Sequence, residues 1–336
     1  MHAGAAAGCE TTLAIQRASV TIAPARDHHT TLVVETASGP FLYVFGGGND
    51  GLATLLDDVQ RAAIQKDGSL GPFEPIGKLP EPRAGHAMVL VDKTLILIGG
   101  LSSAGGSMAQ VDSTAVAKIA EDGTIGAWTA GPRLPEAVMH QTCDAHGRHV
   151  YCVGGRRTGN YTSDLSVSSE LGADGVLAPF RPATALPRTR GFAQSFVHEG
   201  SLYVAGGLHR DPPSADFDLL GDVLRARIAG DGALGAWESG GELPEPLNVG
   251  AVQLVNGRVY LMGGMSGPKQ RVVDTALAAS FDGEGRLGGF EVLAAKWSVP
   301  RMHVHQTPVY RRWIYSVGGR DSRERSLGVV DIGVFE

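Results

Sequence analysis

The chain has 336 residues, 43% hydrophobic and 19% charged, with a formal net charge of -6, 47 glycines and three cysteines. That length and apolar content bury a large core, and the acidic balance argues against general nucleic-acid binding, which wants a basic surface. No apolar stretch reaches the roughly 18 residues of a membrane-spanning helix.

From the N-terminus, residues 1–10 read as a flexible, small-residue tail. They lack the basic and apolar regions of a signal peptide. Ala6-Ala7-Gly8-Cys9 resembles a bacterial lipoprotein cleavage box, except that Ala6 stands where leucine is usual. A start site placed too far downstream would reconcile the two, so the chain is expected to be exported or held at the cell envelope, with a cytoplasmic location the alternative.

Residues 11–336 are expected to form a single domain built from six copies of an apolar strand closed by Gly-Gly. The first glycines are Gly46, Gly99, Gly154, Gly206, Gly263 and Gly318, spaced 53, 55, 52, 57 and 55 residues apart. A period near 50 marks blades of a propeller. The second copy shows the plan of one unit. Gly85–Val91 is inner strand a, Leu95–Ile98 is strand b, Ser113–Ala120 is strand c, and Ile125–Thr129 is strand d. Asp122-Gly123 turns c into d, because glycine tolerates positive φ.

The same turn returns at Asp67-Gly68, Asp174-Gly175 and Asp231-Gly232, with Glu284-Gly285 as a variant, each followed by an aromatic: Phe73, Phe180, Trp237 and Phe290, beside Trp128 in the second copy. In the third copy Gly147-Arg148 aligns with the hairpin turn Asn256-Gly257 of the fifth. That register sets Cys143 opposite Cys152, either as a disulfide or as two small core residues of a reduced protein. The loop from Leu208 to Asp222 in the fourth copy is the most divergent.

The sixth copy stops at Glu336, before its Asp-Gly turn. Leu13 aligns with Leu70 and Ile125, so residues 11–19 supply the missing outer strand and pair with Leu327–Phe335. Such closure removes an exposed sheet edge. The fold expected is all-β: a six-bladed propeller closed by its N-terminal strand, and a monomer.

Pro82-Arg83-Ala84-Gly85-His86, a tyrosine in strand b, Gly-Gly and a later tryptophan resemble the kelch repeat, and the resemblance spans about residues 11–336. Kelch propellers include protein-interaction modules, sugar-acid mutarotases and copper oxidases, so the resemblance implies the fold and leaves the function open. Copies three to five of the Pro-x-Arg-x-Gly-His element are degraded. The copper-oxidase reading would need tyrosine ligands and a cysteine cross-linked to tyrosine. Five of the seven tyrosines sit in the regular strand-b position, which sets it aside.

Strand order places the d–a and b–c loops on one face and the short turns on the other. The d–a loops carry Arg26, His28, Arg83, His86, Arg301, His303 and His305, and the b–c loops add Arg156 and Arg320. Arginine suits bidentate capture of carboxylate or phosphate, so these residues make a candidate anion-binding mouth. The structural alternative is that a recurring Arg and His bridge neighbouring blades through backbone carbonyls. No His-x-x-His with a following carboxylate or cysteine pair is present, so neither metal nor cofactor is expected. The reading is a binding scaffold for a protein, an anionic small molecule or a carbohydrate. The alternative is an enzyme of the mutarotase or epimerase kind, its channel Arg and His holding an acidic sugar.

Overall fold

A computed structural model of the chain describes residues 12–214 and 216–336. The expected tail at 1–10 lies outside the described residues. Six four-stranded antiparallel units succeed one another around an axis. Blade 1 is Thr30–Thr36, Gly39–Asn49, Thr54–Ala63 and Glu74–Lys78. Blade 2 is Ala87–Val91, Thr94–Ile98, Thr114–Lys118 and Thr129–Ala130. Its strand d is shorter and later than the sequence pattern suggests, because Ile125 makes only an isolated bridge to Ile119. Blades 3, 4 and 5 begin with inner strands Thr142–His146, Gln194–His198 and Ala251–Val255.

Blade 6 joins both ends of the chain. Its strands Val309–Tyr310, Trp313–Val317 and Leu327–Phe335 are completed by Leu13–Arg26. Leu13 pairs with Phe335 and Ala14 with Val334. Thr12 N–H donates to Glu336 C=O at 3.0 Å and Glu336 N–H returns to Thr12 C=O at 2.9 Å. The closing strand runs to Arg26, beyond the expected end at residue 19, with register shifts on the way.

Strand b is buried on both sides, which explains its unbroken apolar run. In blade 1, Leu42 and Val44 pack with Trp313 and Tyr315 of blade 6, whereas Tyr43 and Phe45 pack with Met88, Leu95 and Leu97 of blade 2. Each of the six blade interfaces has such an apolar cluster. The Gly-Gly pairs let the blades meet backbone to backbone. Gly206 has φ +62°, and a Cβ there would stand 2.3 Å from the Leu247 carbonyl oxygen.

In four blades the strand-b tyrosine stitches its blade to the next one's Asp-Gly or Glu-Gly turn; blade 2 has no tyrosine there. Tyr43 Oη donates to Gly123 C=O at 2.8 Å, Tyr151 to Gly232 at 2.8 Å, Tyr203 to Gly285 at 2.7 Å, and Tyr315 to Gly68 at 3.0 Å. Tyr260 faces blade 6, where the chain ends replace that turn, and its buried hydroxyl has no partner among the described residues. Cys143 pairs with Cys152 across strands a and b of blade 3. The two form a disulfide with a Cα separation of 4.2 Å. Among the described residues, no helix is long and apolar enough to cross a membrane.

Candidate functional site

The arginines of the d–a loops do not line a mouth. Arg26, Arg83 and Arg301 are 0%, 2% and 1% exposed, and each guanidinium donates to the carbonyl of the first glycine of its own blade's Gly-Gly pair: Gly46 at 3.0 Å, Gly99 at 2.6 Å and Gly318 at 3.2 Å. Further donors go to Asp58, to Glu81 with Ser113, and to Asp331, while Arg83 Nε is buried without a partner among the described residues. The backbone carbonyls of Arg26 and Arg301 accept from the second glycine of the preceding blade. These side chains are clamps between blades, and the anion-mouth expectation loses them because a buried guanidinium finds most of its partners where it lies.

Arg190 is a fourth clamp that the motif search missed. It donates to Gly206 C=O at 3.0 Å and to Asp222 at 2.7 Å, and it stands 16 residues before its glycine, as Arg83 does. That offset was the available signal. In blades 3 and 5 Val138 and Leu247 hold the position, and their carbonyls still accept from Gly100 and Gly207.

Two residues beyond each clamp position the backbone turns left-handed. His28, Gly85, His140, Phe192, Val249 and His303 have φ of 56°, 58°, 54°, 61°, 48° and 56°. Their peptide groups form a closed collar around the axis. Gly85 N–H donates to His28 C=O, His140 to Gly85, Phe192 to His140, Val249 to Phe192, His303 to Val249, and His28 to His303, at 2.8–3.2 Å. A non-glycine residue in this region is uncommon, and a β-branched one such as Val249 is an outlier. Five such residues, with Gly85 in the sixth position, place the conformational strain where the blades converge.

The collar floors a cavity of about 270 Å³ whose walls come from b–c loops: Leu52, Arg156, Asn160, Phe217, Met265 and Arg320 among them. Arg210 lies over the rings of Tyr161 and Phe217, 5.4 and 4.9 Å from their centroids. On the other side of the collar is a smaller cavity of about 100 Å³ between the inner strands, with Thr30, His86, Gln141, Asp144, Ser195 and His305 on its walls. Of the sequence candidates, the structure therefore gathers His28, His303, Arg156 and Arg320 in the mouth. It sends His86 and His305 to the inner cavity and Arg26, Arg83 and Arg301 to the blade interfaces.

Asp27 organises the mouth. It is fully buried, and its carboxylate accepts from Arg320 Nε and Nη2 at 3.1 Å each, from Ser326 Oγ at 2.6 Å, and contacts His28 Nδ1. Its own N–H and C=O pair with Gly48 at 3.0 and 2.8 Å. Arg320 also donates to Glu324 at 3.0 Å. The imidazoles of His28, His140 and His303 crowd above it: His28 and His303 stack with centroids 3.8 Å apart, and His28 and His140 are 4.9 Å apart.

Burial, with neighbouring His305 and Arg320, pushes His28 well below the usual histidine range. Burial and adjacent imidazoles do the same to His140 and His303, and burial lowers His305 to about 4. Burial and the charge of Arg26 lower His29 to about 3. Burial and Arg83 lower His86, whose Nε2 lies 2.9 Å from Thr30 Oγ1.

No protein-family model matches the chain. Over 140 residues it is 31% identical to the human Kelch-like protein 34, a match covering 40% of this chain and 21% of that protein. The solved structure of YjhT superposes with a TM-score of 0.70 at 11% identity, covering 92% of this chain and 95% of that one. The repeat, the ring of six blades closed by its two ends and the likeness to YjhT make the chain a β-propeller, and over those 140 residues it is similar to a kelch-like protein.

Proposed function

We propose that this propeller is a binding scaffold whose recognition surface is the face of the d–a and b–c loops, with the ligand seated in the axial mouth. The carrying observation is that cavity: concave, floored by a rigid hydrogen-bonded collar and walled by dissimilar loops. Variable loops on a rigid frame are where recognition residues gather. Phe217 is 42% exposed at its edge with Arg210 over its ring, and Arg156 stands nearby. Arg156, which lines the mouth and whose guanidinium meets no carboxylate among the described residues, suits a carboxylate-bearing carbohydrate or an acidic protein segment. The disulfide supports an exported location.

Photo-crosslinkers at position 217 and, on the opposite face, at position 176 test the face. Crosslinks to a defined partner only from 217, lost on Arg156→Glu, are expected. Crosslinking from 176 alone would overturn the assignment.

The enzyme reading has one observation in its favour. Arg320, Asp27 and His28 form a chain ending in an oriented imidazole at the mouth, the arrangement of a base with its orienting carboxylate. It is tested by following anomer exchange of acidic sugars by NMR. Acceleration that His28→Phe abolishes supports catalysis, and no acceleration over buffer removes it.

A further inference from the structure

Three of the six collar positions carry histidine, and one ligand nitrogen from each of His28, His140 and His303 lies within 4.8 Å of the other two. The gathering does not come from local spacing. The residues belong to the d–a loops leading into blades 1, 3 and 6, and only the closure of the ring brings them together. We propose that His28, His140 and His303 form a three-histidine site for a divalent transition-metal ion of the zinc class, its fourth coordination position open to the mouth. This goes beyond the recognition role above and does not depend on it.

Four features of the molecule carry the assignment. The three ligands stand on backbone held by the closed collar of hydrogen bonds, so their Cβ atoms are held at fixed points before any ion arrives. Gly85 occupies the collar position between His28 and His140 and puts no side chain there. A Cβ at Gly85 would already sit 3.5 and 3.6 Å from Cε1 and Nε2 of His140.

Asp27 engages Nδ1 of His28, which leaves Nε2 as the free donor. A carboxylate behind a ligating imidazole fixes its tautomer and ring orientation. Finally, Nδ1 of His140 and Nδ1 of His303 are buried without a hydrogen-bond partner among the described residues. Buried polar nitrogens without partners are uncommon unless something else engages the ring.

Ligand nitrogens about 2.0–2.1 Å from a tetrahedral ion stand about 3.4 Å apart. The rings must therefore close slightly, and the His28 and His303 rings must leave their stack. His303 is the one to rotate about its Cβ–Cγ bond, because its Nδ1 is tied to nothing whereas His28 is held by Asp27. The donor set chooses the metal. Three imidazoles suit zinc, nickel or copper, while magnesium and calcium want oxygen ligands. Three protein ligands with one open position are the arrangement of a zinc that keeps a water or takes an anionic ligand. The positive charge of Arg320 beside the site is offset by Asp27 and Glu324.

The test uses the full chain, stripped with EDTA and titrated with Co²⁺ and then Zn²⁺. One Co²⁺ per chain is expected, with the visible absorption of a low-coordinate nitrogen and oxygen site, displaced by Zn²⁺. His28→Phe and His303→Phe should each weaken Zn²⁺ binding by more than the roughly 10–100-fold typical of losing an outer-shell partner. Phe192 already places a phenyl ring at a collar position, so these variants keep its shape. His209→Ala, outside the collar, should leave binding unchanged.

Absence of stoichiometric binding by the wild-type chain overturns the proposal. So does undiminished affinity in both phenylalanine variants, or a sulfur-to-cobalt charge-transfer band, which would put the ion on Cys9. Metal binding without crosslinking at position 217 would leave this site standing and remove the recognition reading; the reverse result would do the opposite.

Discussion

Arg26 and His28 are two residues apart, as are Arg301 and His303, yet the two positions belong to different parts of the molecule. At the first, a long basic side chain runs outward between blades and is spent on the Gly-Gly carbonyl and a carboxylate. At the second, the left-handed backbone directs the side chain to the axis, where His28 and His303 stack as neighbours in the collar. Both carry basic nitrogen. The interface uses it to hold the fold, and the collar leaves it facing a cavity. Residue type therefore says little here; the offset from Gly-Gly decides the environment.

The largest effect should follow removal of the closing strand Leu13–Arg26. It leaves Leu327–Phe335 with a bare edge and takes the Arg26 clamp with it. Scanning calorimetry should show loss of the cooperative transition, with aggregation in light scattering. An unchanged melt would mean that the interfaces do not need closure.

Next, the clamps should differ among themselves by the burial of their acids. Arg301→Met strands Asp331, which is 0% exposed, at a cost of about 3–5 kcal/mol. Arg190→Met leaves Asp222, 45% exposed, to water, and should cost only about 1–2 kcal/mol. Urea unfolding of the two variants measures the gap, and equal losses would show that the carbonyl bond, not the acid, matters.

Reduction of Cys143–Cys152, which closes a short hairpin, should cost at most about 2–3 kcal/mol. Titration of the unfolded, unreduced chain should find one free thiol, that of Cys9; three would mean no bridge.

The smallest effect concerns the inner cavity. His86 is held neutral in the folded chain, below its unfolded value near 6.5. As pH falls below that value the unfolded chain takes up a proton the folded one refuses, so stability falls with acid. His86→Gln should remove about 1 kcal/mol of the loss between pH 6.5 and 5.5. An unchanged slope in the variant would show that His86 is not held neutral.

The blades, their order and the joining of the two ends were readable along the chain because each rests on local chemistry. Gly-Gly and Asp-Gly record positive φ, an apolar run records burial on both sides, and a missing strand at one end matches a spare one at the other. The cysteine register was readable for the same reason, since a two-residue turn dictates which residues face each other. Arg190 escaped because its surrounding motif, Pro187-Arg188-Thr189-Arg190, departs from the pattern while its distance to Gly206 does not.

Neither the clamps nor the collar could be assigned that way. A guanidinium in a d–a loop can reach the mouth or the interface, and which it does depends on an acid and a carbonyl that the folded ring presents. Asp58 and Gly46 stand 32 and 20 residues from Arg26, in two strands that only folding brings to it. His28, His140 and His303 share no motif and no blade. Turn and strand propensities act over a few residues, whereas three imbalanced loops become one site only when six interfaces have packed and the circle of peptide hydrogen bonds has closed.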